Sequence, residues 1–145
     1  MDKRTLPNDI LLGEVAAVLD EGREAVIIPT GNSMLPFIRG GEDRVVLRRR
    51  DSIAVGDIVL ARLGERYILH RVIAAEGDAL TLMGDGNLSG TERCSLADVL
   101  GTVVQIILPS GRVRTPGRAR FWRILKPLRR YLLAAWRRLF LCQMH

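Results

Sequence analysis

The stretch GDIVLARLGERYILHRVIAAEGDALTLM, residues 56–83, decides the fold. It reads as three strands over 57–63, 66–75 and 79–83, separated by Gly64-Glu65 and Gly77-Asp78. Both dipeptides suit tight antiparallel connections, and no helix fits between the runs. Working outward, further β-rich runs over 24–29, 44–48 and 99–108 are bounded by glycine, proline or charged residues. Closely spaced strands without long intervening helices predict a mainly β domain, a compact and partly open β-barrel or coiled sheet. Ahead of it, residues 9–20 predict a short amphipathic helix, with Ile10, Leu11, Val15, Val18 and Leu19 at helical spacing. Asn8 or Asp9 can cap its start, and Gly22 can stop it.

The remaining segment is different in kind. Residues 1–98 carry 12 basic and 16 acidic side chains, whereas 99–145 carry 10 basic and none acidic. Beyond Pro109-Ser110-Gly111 and Thr115-Pro116-Gly117, the apolar residues Phe121, Leu125, Leu128, Leu132, Ala135 and Leu139 fall on one helical face. Arg123, Arg130 and Arg137 fall on another, and Pro127 is expected to kink the helix or start a second one. The expected division is therefore a helical segment over 1–22, a β domain over 23–109, and a linker with a basic amphipathic tail over 110–145. Residues 119–142 suit packing against a partner protein or an anionic membrane surface. Nucleic acid is the least expected partner, because no recognition motif accompanies the charge. Cys94 and Cys142 are too few for a disulfide framework and show no metal spacing, so neither metal nor cofactor is expected.

The chemistry concentrates in two places. Gly31-Asn32-Ser33-Met34-Leu35-Pro36 offers a serine in a turn bounded by glycine and proline, and Leu69-His70-Arg71 offers an imidazole. Lysine occurs only at Lys3 and Lys126, so no lysine base lies within the β domain. A serine hydroxyl needs a base to take its proton during attack, and a neutral imidazole does this near neutral pH. Period-two alternation puts Ile68, His70 and Val72 on one strand face, and Leu69, Arg71 and Ile73 on the other.

Four boxes in order, Gly31 to Pro36, Val55 to Val59, Tyr67 to Val72 and Leu82 to Asn87, resemble those of the S24/S26 serine peptidases. That group includes signal peptidases and self-cleaving repressors, and the likeness covers roughly residues 24–108. With His70 where many members carry lysine, the chain is similar to the branch that uses a Ser-His pair with an aspartate from a Gly-Asp box. The resemblance implies a coiled β fold over 23–109, with Ser33 as nucleophile, His70 as general base and Asp85 as the acid orienting the imidazole. The backbone N–H of Ser33, with Asn32 or Thr30, is the expected oxyanion hole; Met34 and Pro36 serve loop packing or substrate contact. Asp57 is expected to be structural.

The expected function is thus cleavage of a peptide or protein precursor by a serine endopeptidase. The alternative is a non-catalytic binding module of the same fold, docking through the basic tail. A self-cleaving regulator fits less well, since no Ala-Gly dipeptide precedes Ser33 and one short helix leaves no room for a helix-turn-helix domain. No signal peptide and no run of about 18 apolar residues is legible, so the expected location is cytoplasmic or peripheral at the membrane.

Overall fold

The computed structural model describes residues 8–31, 34, 37–86 and 90–117, with side chains from residue 12 onward. Among the described residues, one α-helix, α1 (Asn8–Asp20), precedes eight strands. These are β1 (Ala25–Ile27), β2 (Arg44–Arg48), β3 (Ile58–Leu63), β4 (Arg66–Glu76), β5 (Ala79–Met83), β6 (Glu92–Ser95), β7 (Val99–Ile107) and β8 (Val113–Arg114). They form a single antiparallel sheet in the order β1-β2-β7-β3-β4-β5-β6, with β8 on β7. Gly64 and Gly77 make the two hairpin turns with φ of 62° and 59°, a left-handed backbone that glycine adopts without steric cost.

The sheet curls into a half-barrel, which explains why β3 is apolar on both faces. Its Ile58 and Leu60 join Val45, Leu47, Val103 and Ile106 beneath α1. Its Val59 and Ala61 join Val72, Leu80, Leu82 and Cys94 on the opposite side, where β5 and β6 fold over. Register shifts at Val46/Leu47, Leu60/Ala61 and Val72/Ala74 supply the bends, because a bulge increases local twist. Val15 and Leu19 seat the helix on the first face. A Cβ on Gly101 would lie 2.9 Å from a Leu19 methyl, so the bare glycine admits the helix to β7.

The mainly β reading and the single N-terminal helix match this architecture. Two strands escape the pattern: β6 is short and polar, and β8 has two residues. β1 stops at Ile27, short of the expected 29, since Pro29 has no N–H for a ladder. The basic tail over 119–142 lies outside the described residues, so its helical reading has no structural counterpart. Among the described residues, no helix is long and apolar enough to cross a membrane.

Candidate active site

His70 lies on β4 opposite Val59, which in turn pairs with Thr102 of β7. It is 7% exposed, and its Nδ1 is buried without a hydrogen-bond partner among the described residues. Desolvation by burial lowers its pKa below the ordinary imidazole value, and the positive charge of Arg66 adds a smaller push in the same direction. Glu92 and Asp85 act in the opposite sense and are outweighed. The result is an imidazole held neutral near pH 7, the state a general base requires.

Gly31 and Met34, on either side of Ser33 in the chain, share a cavity with β4. Strand β4 pairs with β3 from Arg66 to Arg71, but its pairing with β5 begins only at Arg71. A cavity of about 140 Å³ runs along the edge left open, lined by Tyr67, Ile68, Leu69 and His70 together with Gly31 and Met34. Four consecutive β4 residues can line one cavity only along an edge, because alternate side chains point to opposite faces. The Asn32-Ser33 pair falls between Gly31 and Met34 in the chain. Asn32, Ser33 and Pro36 themselves lie outside the described residues. A larger cavity of about 320 Å³ shares Thr30 and Tyr67 in its lining and is also bounded by Leu12, Leu60, Glu65 and Arg66.

The loop is pinched at its base. Gly31 has φ of 81°, and a Cβ on Gly40 would sit 1.8 Å from the Gly31 carbonyl oxygen. The Gly41 N–H donates to Pro29 O at 2.7 Å. Buried Asp43 accepts from the Arg39 N–H at 2.8 Å and from its guanidinium at 3.3 Å. Within the loop, Met34 O accepts from the N–H groups of Phe37 and Ile38, both at 3.0 Å. The Met34 side chain belongs to the core cluster as well as lining the cavity, so packing is an evident part of its role. Gly40→Ala has no space for its methyl; we expect a loss of about 1–3 kcal/mol or more, measurable as a lowered urea midpoint.

Asp85 is paired with Arg71. Its two oxygens accept from Arg71 Nε and Nη2, both at 2.7 Å, in a bidentate pair buried from water. The described contacts put no hydrogen bond between Asp85 and the imidazole, and its influence on His70 is through charge. Arg71, next to His70 on β4 and in register with Ile58, also donates from Nη1 to Gly56 O at 2.7 Å. Asp57 is a turn residue: its carboxylate accepts from Ala54 N–H at 2.9 Å, and its carbonyl from Val72 N–H at 2.8 Å. Sequence reasoning passed over Arg71, Asp43 and Gly40. The signal for Arg71 was available, since a charge between Leu69 and Ile73 on an apolar face demands a buried partner.

A curled β fold in which Gly31, Met34 and a buried histidine line one cavity has a counterpart among known sequences. The sequence pattern of the Peptidase S24-like family matches residues 9–104. The chain belongs to the Peptidase S24-like family. No curated protein matches the chain. The family match spans α1 and every strand from β1 to β6, and most of β7, so it covers the whole cavity wall contributed by described residues. Among the described residues of this Peptidase S24-like chain, no group of three His, Cys, Asp or Glu side chains is placed to hold a metal ion.

Proposed function

We propose that the chain is a serine endopeptidase in which Ser33 attacks a peptide carbonyl and His70 takes its proton. The observation that carries this reading is the cavity shared by His70 and the residues bracketing Ser33. A neutral, desolvated imidazole supports the base role. The attack forms an acyl-enzyme with loss of the amine portion, which His70 protonates as it leaves. Water then hydrolyses the ester, with His70 again accepting a proton. The Ser33 N–H, with Asn32 or Thr30, would stabilise the oxyanion. The open Arg66–His70 edge is suited to an extended peptide adding as a strand, with apolar side chains in the two neighbouring cavities.

The geometry favours a dyad over a triad. Asp85 supports the site by holding Arg71, and Nδ1 of His70 finds no acid among the described residues. The same observation is what favours the second reading, a binding module of this fold that lacks an oriented base. A peptide-library cleavage assay separates the two: cleavage by the wild type that vanishes in Ser33→Ala and His70→Ala supports the peptidase, and equal cleavage in all three sinks it.

The buried imidazole also fixes a pH dependence. The acid limb of kcat/KM is expected to have its midpoint below about 6.5, the ordinary histidine value. Stability follows the same group. Since the folded pKa is depressed, the unfolded chain binds the proton first, so this contribution is complete above about 6.5 and is lost as pH falls through the folded pKa. Urea titrations of the wild type and His70→Gln over that window should diverge as the pH is raised and converge as it is lowered, apart from a constant offset.

A further inference from the structure

After β7 the chain turns at Gly111 and comes back as β8, pairing Arg114 with Ile106, and then runs on to Gly117. Two contacts fasten this short arm to the site. The Arg114 guanidinium donates to the carbonyl of Phe37 in the serine loop. The Gly117 carbonyl accepts from Arg71 Nη1 at 2.6 Å. Arg71 in turn lies over the Phe37 ring, 5.2 Å from its centroid. The contacts close a circuit from Arg71 to Phe37, to Arg114, along the arm to Gly117, and back to Arg71. Arg71 is 1% exposed, so its donors need acceptors, and the arm provides one that Asp85 and Gly56 do not.

The two ends of the circuit flank the proposed dyad. Phe37 is four residues beyond Ser33, and Arg71 is next to His70. We infer that residues 113–117 form a strap that positions the serine loop against the His70 strand, with Arg114 as a positioning residue that touches no reacting atom. This rests on the peptidase reading above. The base pinch at Gly31 and Gly40 fixes where the loop leaves and returns; the strap fixes its far side. Released from the strap, the loop spends less time with the serine in reach of the base. The loss falls on the bond-forming step, and affinity for the reagent changes little.

The test follows fluorophosphonate labelling of the full chain, separating the maximal rate from the half-saturating concentration, for the wild type, Arg114→Ala, Arg114→Lys and the surface control Arg112→Ala. Arg114 is exposed, so these variants should fold. Arg114→Ala is expected to lower the maximal rate about 10- to 100-fold, with the half-saturating concentration and the acid-limb midpoint unchanged. Arg114→Lys, which keeps a donor, should recover part of the rate, and Arg112→Ala should match the wild type. Hydrogen exchange at the Phe37 and Ile38 amides should also accelerate in Arg114→Ala. An Arg114→Ala protein with unchanged labelling rate and unchanged exchange overturns the strap. If the wild type forms no adduct at Ser33, the peptidase reading fails, and the exchange data still decide whether the strap holds the loop.

Discussion

Replacing Arg71 by methionine is expected to cost about 3–5 kcal/mol, a large fraction of the ~5–15 kcal/mol that holds a domain of this kind together. The cost comes from what remains. Methionine fills a similar volume, but it takes from the buried Asp85 carboxylate the cation and the two hydrogen bonds that Arg71 supplies. Gly56 O and Gly117 O each lose a donor as well. The urea midpoint should fall by at least about 1 M. Arg71→Met combined with Asp85→Leu should recover much of the loss, since no buried carboxylate is then deprived of its arginine. Arg71→Lys should recover little, because a single ammonium cannot reproduce the bidentate fork. Additive losses in the double variant would show that the pair is not the unit assumed here.

The strands were readable because β3, β4 and β5 are short apolar, β-branched runs punctuated by Gly64 and Gly77. The same logic missed β6 and β8, whose few residues present no alternation and are strands only because β5 and β7 offer partners. His70 stood out because the β domain contains no lysine and no second histidine. Its burial followed from Ile68 and Val72 on the same face, and its depressed pKa from that burial. What could not be read was pairing across the sheet. A Gly-Asp turn looks the same whether its acid meets an imidazole or a guanidinium, and only the curl of β4 against residues 83–85 brings Asp85 to Arg71. The pinch between Gly31 and Gly40 was hidden for the same reason: it joins residues nine apart through backbone contact alone.

The second large effect falls on rate rather than stability. His70→Ala should slow the acylation of Ser33 by about 10²–10⁴-fold, leaving binding of the reagent nearly intact. The imidazole supplies proton transfer during bond formation, and no lysine within the β domain can replace it. The surviving rate would come from the oxyanion donors and from positioning alone. It should also lose the acid limb, since the group that titrates there is gone. Ser33→Ala removes the acceptor atom itself, so labelling should cease.

The most direct test of the Ser33–His70 assignment is mass-spectrometric mapping of the fluorophosphonate adduct on the intact chain. One adduct is expected, on Ser33, absent from Ser33→Ala and slowed by at least about 100-fold in His70→Ala. An adduct on a different residue, or equal labelling of Ser33 with and without the histidine, would contradict it.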